Sequence, residues 1–463
     1  MNFNKCVTIL KEKLSNGIGF PFSDILTETI IQQALKDEQM KYRERLYTPM
    51  ITLWTWIYQV LNKDKSCKNA VSLIISYITE HAPVLKEKTP STDTGAYCKA
   101  RKRLKEGFIM RLLNYTGKYL QTQNTQLQNT QLWCGRRVLV VDGSTVTMDD
   151  TEPNQKEYPQ PKSQAKGCGF PMANIVAIFC LNTGVLLHTI IDALSTHELN
   201  LFRRLYEYLQ SGDIALGDRL YSSYADICLL KSRDVDCVFR MHQKRKVDFR
   251  TGKILGIKDH IVTWTKPKSC PSGLDKALFA ILPQSIKLRE IRFRVETNGF
   301  RSLQITLVTT LLDASLYPKD ALAELYSMRW NVEIDLRHLK TTMQMEHLST
   351  KTPQMVRNDY YVHLLAYNLI RILMFQSGKE HGAAPLELSF CASIQHLLNF
   401  SSALAYADKV KQQNIYNVLL YIVSKERILI RAGRVEPRLK KRRPKSFGWL
   451  KQPRKQLQKQ LVA

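Results

Sequence analysis

The stretch RRVLVVDGS (136–144) decides the reading of the chain: four apolar residues, Val138 to Val141, run into Asp142, Gly143 and Ser144. A short β-branched run closed by a turn signal reads as a buried strand. A carboxylate at the end of such a strand leaves the core at a fixed place. The pattern recurs at IALGD (214–218), which ends on Asp218. Strand-end aspartates often cap helices, so either acid alone says little. Two of them, on strands expected to be neighbours, point to a site. Asp213 precedes its strand and would emerge at the opposite edge of the sheet. Asp192 reads as a turn residue, and Asp149 and Asp150 as solvated acids.

Around these runs, NIVAIFCLNTG and VLLHTIIDA form a hairpin pattern, HELNLFRRLYEYL (197–209) an amphipathic helix, SYADICLLKSRD a helix, and VDCVFRMHQ a strand. Three strands followed by helix, strand, helix and strand predict an α/β domain with a mixed sheet. From about 244 to 312, KVDFR, HIVTWTKP, FAILP, KLREIRFRVE and SLQITLVTTLL read as strands, making a β-rich insertion without helices. Helical periodicity returns at PKDALAELYSMRWNVEIDLRHLKTTMQM (318–345) and continues through MVRNDYYVHLLAYNLIRILMF.

Residues 1–120 read as helical, with Ser23 and Asp24 as an N-cap for SDILTETIIQQALKDEQMKYRERL. NAVSLIISYITEHAPVL has the same apolar spacing, and AYCKARKRLKEGFIMRLLNYTGKYL is a basic helix pattern suited to phosphate contact or to solvation. QTQNTQLQNTQL (121–132) lacks apolar surface and predicts a linker over 121–134. The expected organisation is a helical N-terminal domain (1–120), the linker, an α/β core (135–243 and 313–380), the insertion (244–312) and a C-terminal helical region (381–463). Residues 431–459 carry 12 Lys and Arg against one acid, Glu436, which reads as a solvated arm that lies on nucleic acid.

Lys and Arg total 68 against 41 Asp and Glu, a formal net charge of +27, so a polyanion is the expected partner. The ten cysteines are scattered singly, without zinc spacing, which argues against a structural zinc or disulfide framework and for a reducing cytosol. No signal peptide is apparent, and no window approaches the roughly 18 apolar residues that a membrane helix needs. A soluble, cytoplasmic protein is expected.

The third acid of a metal site has to come from 318–345. At about 100° per residue, Tyr326, Arg329, Glu333 and Lys340 fall within a stripe roughly 60° wide. The plainer alternative is an exposed ion-pair ladder, since Arg329 and Glu333 are i,i+4 neighbours. Asp335 lies on the opposite face, which leaves Glu333 as the better candidate. Three carboxylates supply the oxygen ligands that Mg²⁺ prefers, and two such ions about 3.5–4 Å apart serve in-line phosphoryl transfer. Arg and Lys beside them would hold phosphate oxygens.

The spacing Tyr326-x2-Arg329-x3-Glu333-x6-Lys340 resembles the signature of DDE transposases of the insertion sequence four family. VVDGSTVTMDDTEPNQKEYPQP, GDRLYSSY and YSMRWNVEIDLRHLKTTMQM resemble the family's surroundings of the three acids. The resemblance runs from roughly residue 40 to 375. It implies a ribonuclease H-like core with a β-rich insertion, and Asp142, Asp218 and Glu333 as catalytic metal ligands for two Mg²⁺ ions, with Mn²⁺ able to substitute. It further implies phosphate contacts by Tyr326, Arg329 and Lys340, and an N-terminal domain that binds the terminal inverted repeats. The partner would be double-stranded DNA, held by a homodimer that pairs two ends in the bacterial cytoplasm, at the nucleoid. Some relatives cut through a hairpin with a flipped base against an insertion aromatic, for which Trp264 is the candidate, with a core tryptophan as the alternative. The competing reading is a catalytically silent or domesticated DNA-binding protein.

Overall fold

Continuous apolar runs form the centre of a sheet, as expected of strands covered on both faces. The computed structural model describes residues 19–43, 45–81, 91–126, 132–295, 303–428 and 448–462. Besides the two-residue strand His347–Leu348, its strands are β1 (Val138–Met148), β2 (Met172–Cys180), β3 (Leu186–Ala193), β4 (Ile214–Gly217), β5 (Asp236–Arg240), β6 (Lys253–Gly256), β7 (Asp259–Thr265), β8 (Ser285–Val295) and β9 (Leu303–Thr309). They lie in the order β3-β2-β1-β4-β5-β9-β8-β7-β6. β1 is antiparallel to β2 and parallel to β4, and β4 is parallel to β5. The result is a mixed α/β architecture with a mixed sheet flanked by helices.

The chain divides into two compact units: Gln128–Gly184, His188–Asp335 and Leu429–Ala463 in one, Met1–Leu127, Val185–Leu187 and Leu336–Ile428 in the other. In the second, the helix Pro49–Leu61 starts at Thr48, whose Oγ1 accepts from the Ile51 N–H at 3.3 Å. It buries Trp54 and Trp56 completely. The Trp56 Nε1–H donates to Asp359 Oδ1 at 2.9 Å, on the helix Pro353–His381 of the same unit. That helix ends at Gly382 in the left-handed conformation, φ 65°, which glycine adopts without a Cβ clash.

The strand-rich segment is continuous with the central sheet. β9 pairs antiparallel with β5, so β6 to β9 extend the sheet. Two expected strands there are absent. KVDFR is a turn in which Asp248 Oδ1 accepts from the Arg250 N–H at 3.1 Å. FAILP (279–283) begins inside a short helix, Lys276–Ala280, which Asp275 caps by accepting from the Leu278 N–H at 2.9 Å. Hydrogen bonds from acids to nearby backbone outcompete the strand ladder in both places.

The helical boundaries also shift. The first described helix, Glu28–Asp37, is capped by Thr27 rather than Ser23 or Asp24, because residues 21–26 form turns. The helix Glu106–Gln126 runs through the first six residues of the expected linker. The rest of that linker up to residue 131, and residues 429–447 of the basic arm, lie outside the described residues. Arg454–Val462, at the arm's end, is helical.

The register of the central strands is held at one end by ion pairs. Arg137 donates to both oxygens of buried Asp213, at 2.7 and 2.6 Å, and Arg136 pairs with Asp236 at 2.8 Å. Removing Asp213 leaves the partly buried Arg137 without its bidentate partner and the Gln210 N–H without its acceptor. Asp213→Ala is therefore expected to cost about 1.5–3 kcal/mol in urea unfolding. A loss below about 1 kcal/mol would show that the clamp does not hold the strands.

Candidate active site

Val138, Leu139 and Val140 of β1 pair with Ile214, Ala215 and Leu216 of β4. Carried two residues further, the same offset brings Asp142 level with Asp218. In β5 the offset from β4 brings Arg240 level with Asp218 as well. β1 continues to Met148 against β2, so Asp142 ends only the parallel pairing and not the strand. Asp218 has extended backbone, φ −80° and ψ 179°, and its side chain makes no cap hydrogen bond to the short turn Arg219–Tyr221. The helix-cap explanation for Asp218 therefore fails.

Glu333 sits in the first turn of the helix Trp330–Arg337. The periodic segment is not one regular helix: it breaks at Arg329, between Lys319–Met328 and Trp330–Arg337, then winds as a π-helix over His338–Thr342. The even 100° advance therefore does not hold across it. Arg329 Nη2 donates to Glu333 Oε1 at 2.7 Å, and Nη1 stands 3.9 Å from Asp142 Oδ2. Its side chain is only 12% exposed, so this is no solvent ladder. Arg329 Nε is buried without a hydrogen-bond partner among the described residues. Its guanidinium also lies 5.8 Å from the centroid of the Tyr326 ring. Burial pushes the Tyr326 hydroxyl up to about 12, against the opposing charge of Arg329. Asp335 is buried. Lys340 belongs to the π-helical turn in the helical unit.

Glu198 is a functional candidate that the sequence reading missed. It opens the helix Glu198–Arg204 and accepts a hydrogen bond from the Tyr221 hydroxyl. Gly143 makes room for it: a Cβ there would run into the Glu198 carboxyl group. In sequence Glu198 looks like any first-turn acid that complements a helix dipole. The only local trace of its role is the missing side chain at Gly143.

Crowding of acids sets the local electrostatics. Burial raises the Asp142 carboxyl to about 6, opposed by the Gly143 N–H (2.9 Å) and Arg329 and reinforced by Glu198 and Glu333. Burial and the charge of Asp218 raise Glu198 too, while the Tyr221 hydroxyl lowers it. Carboxylate oxygens suit a hard divalent cation, and charge repelled by its neighbours favours one. Among the described residues, however, no three His, Cys, Asp or Glu side chains are drawn around one point. The positive charge between Asp142 and Glu333 is Arg329.

Beside Asp218 a cavity of about 200 Å³ is lined by Arg219, Arg240, Arg245 and Arg292, with Gln243 and Thr306. Trp264 is buried in this structure. It is 4% exposed, its Nε1–H donates to Glu290 Oε1 at 2.7 Å, and the Arg245 guanidinium lies 3.5 Å from its ring centroid. Glu290 and Arg245 thus hold the ring among its neighbours in the strand-rich segment.

A family model described as "Transposase DDE domain" matches residues 133–369. The chain is 24% identical over 426 residues to transposase InsG for insertion sequence element IS4 of Escherichia coli (strain K12), covering 91% of each chain. A solved structure, the piggyBac transposase synaptic complex with hairpin DNA, aligns with 88% of this chain and 85% of its own at 12% identity, TM-score 0.41. Among the described residues no helix is long and apolar enough to cross a membrane.

A pH test follows from Asp142. Its folded value lies above the ordinary 3.8, so the folded state holds the proton more tightly and stability falls as pH rises from 3.8 to about 6. The shift corresponds to about 3 kcal/mol. In chelator, Asp142→Asn should be more stable than the natural protein at pH 8 by up to ~3 kcal/mol, with the gain shrinking toward pH 4. Equal or lower stability at pH 8 would show that the charge on Asp142 is not strained.

Proposed function

Since the chain belongs to the transposase DDE-domain family, we propose that Asp142, Asp218 and Glu333 are its catalytic carboxylates. The protein is a transposase, a metal-dependent enzyme that cuts DNA. In this reading it binds the terminal inverted repeats of its own insertion sequence, cleaves there, and joins the freed ends to new DNA. The observation that carries it is the register that brings Asp142 level with Asp218 while Arg329 links Asp142 to Glu333.

The strand order β3-β2-β1-β4-β5 supports reading 135–243 with 313–380 as a ribonuclease H-like core. Asp142, Asp218 and Glu333 would hold two Mg²⁺ ions, or Mn²⁺, which when bound activate the attacking oxygen and stabilise the leaving one. Arg329, whose guanidinium lies between Glu333 and Asp142, takes a phosphate oxygen of the strand being cut. Tyr326, kept protonated at neutral pH, donates to another. The arginines beside Asp218 carry the phosphates next in line, and Lys340 is a further phosphate contact.

The helical domain at 1–120 is the end-binding domain in this proposal. A groove of about 450 Å³ supports that role, lined by Lys41, Tyr42, Arg43, Arg45, Tyr47 and Arg103. Basic and aromatic side chains together suit a phosphate backbone. Two copies pair two ends on double-stranded DNA in the bacterial cytoplasm, in keeping with the +27 charge.

Purified protein and its Glu333→Gln variant should be incubated with DNA carrying the element ends, with and without Mg²⁺. Cleavage at the ends by the natural protein, at least 100-fold slower in the variant and absent without metal, is expected. Binding without cleavage by either would favour a silent DNA-binding protein. Equal cleavage by both would remove Glu333 from the site. A gel-shift comparison of Arg329→Gln with the natural protein in Ca²⁺ tests the phosphate contact. Affinity should fall several-fold with a shallower salt slope, and an unchanged slope would exclude the contact.

A further inference from the structure

The helical unit holds a pair of thiols that the transposition chemistry does not use. Cys67 is the first residue of the helix Cys67–His81, and Cys98 lies in the helix Gly95–Arg103. Their sulfurs are 3.7 Å apart, with the Cys98 S–H donating to Cys67. Cys67 Sγ also accepts from Arg101 Nη1 at 3.3 Å and Gln59 Nε2 at 3.7 Å.

Those donors are held in place. The buried Arg101 guanidinium lies 4.0 Å from the centroid of the Trp56 ring and 3.6 Å from Asp359 Oδ1. Gln59 donates to the Lys65 carbonyl at 2.6 Å and accepts from the Tyr97 hydroxyl at 2.8 Å. Three donors on one sulfur make Cys67 the nucleophile of the pair. Cys98 is the more exposed member, and the partial burial of its sulfur, together with its neighbour Cys67, pushes its thiol up.

We propose that Cys67 and Cys98 form a peroxide-reactive dithiol that closes to an intramolecular disulfide. The Cys67 thiolate attacks one oxygen of hydrogen peroxide, the O–O bond breaks, and hydroxide leaves a Cys67 sulfenic acid. The Cys98 sulfur then attacks the Cys67 sulfur. The S–O bond breaks, and the thiol proton leaves with the sulfenic hydroxyl as water. Two electrons pass from the two sulfurs to the peroxide. Reaching an S–S length of about 2.05 Å closes the gap by roughly 1.7 Å.

Oxidation changes the sulfur to which Arg101 Nη1 donates. Arg101 and Cys98 share their helix with Arg103, which lines the basic groove. The disulfide therefore weakens DNA binding, a consequence that rests on the proposed role of that groove.

The chemistry is tested without DNA. The full-length protein is treated with equimolar hydrogen peroxide, alkylated, digested and read by mass spectrometry. A peptide pair joined through Cys67 and Cys98, released by dithiothreitol, is expected. Cys98→Ser should stop at a sulfenic acid on Cys67 that dimedone traps, and Cys67→Ser should leave Cys98 unlabelled. Independent alkylation of both residues in the treated protein, or dimedone on Cys98 alone, overturns the dithiol. In a parallel titration with duplex DNA, affinity should fall at least threefold on oxidation and return with dithiothreitol, with no change in Cys98→Ser. A complete cross-link with unchanged affinity overturns the link to the groove and leaves the dithiol standing.

Discussion

The pairing of β1 with β4 is the constraint on which the site depends. In-register residues on neighbouring strands share a face, and a one-residue slip turns every side chain of the moved strand to the other face. β4 has only four residues, Ile214 to Gly217, so its own ladder specifies register weakly. The bidentate pair of Arg137 with Asp213 supplies what the short ladder lacks. Asp213 is on the wrong edge for catalysis, yet it lies opposite Arg137 by the same offset that sets Asp218 opposite Asp142. One end of the strand pair fixes the geometry of the other.

What the sequence made legible was local. Apolar runs closed by an acid and a glycine located β1, β4 and both aspartates, because burial of a strand and the change to a turn are written in adjacent residues. KVDFR and FAILP were misread because Asp248 and Asp275 bind nearby N–H groups, an outcome that composition does not reveal. The stripe on 318–345 paired Arg329 with Glu333 correctly, since four residues span little accumulated error. It says less about Lys340, beyond both the break at Arg329 and the start of the π-helix. Glu198 was illegible because its place depends on a glycine 55 positions earlier that leaves room for it. Trp264 was recognised as notable, but its burial under Arg245 arises from strands distant in sequence.

The acids are gathered at a cost. A buried carboxyl raised to about 6 is one whose charge the fold disfavours, and Glu198 adds to that strain rather than relieving it. A fold selected for stability alone would place amides or apolar residues there. Arg329 offsets part of the repulsion, but it binds Glu333 closely and Asp142 only at 3.9 Å. The site is therefore short of positive charge. It gains most from a ligand that brings cations and least from one that brings only phosphate.

That shortage gives the neighbouring arginines their meaning. A phosphate backbone adds negative charge beside the crowded acids, so counter-charge has to lie close by without entering the carboxylate cluster. The sheet provides this. β5 carries Arg240 level with Asp218 on one side and pairs it with Leu307 of β9 on the other. β8, next to β9, brings Arg292, whose Nε donates to Thr306 Oγ1 at 2.9 Å. Two of the four arginines thus sit on strands hydrogen-bonded into the sheet that carries Asp142. Strand spacing, about 4.8 Å per step, sets their distance from the acids. An insertion on a flexible stalk would leave that distance free to vary. Continuing the sheet removes this freedom, so these two arginines and Asp142 are positioned by one hydrogen-bonded frame.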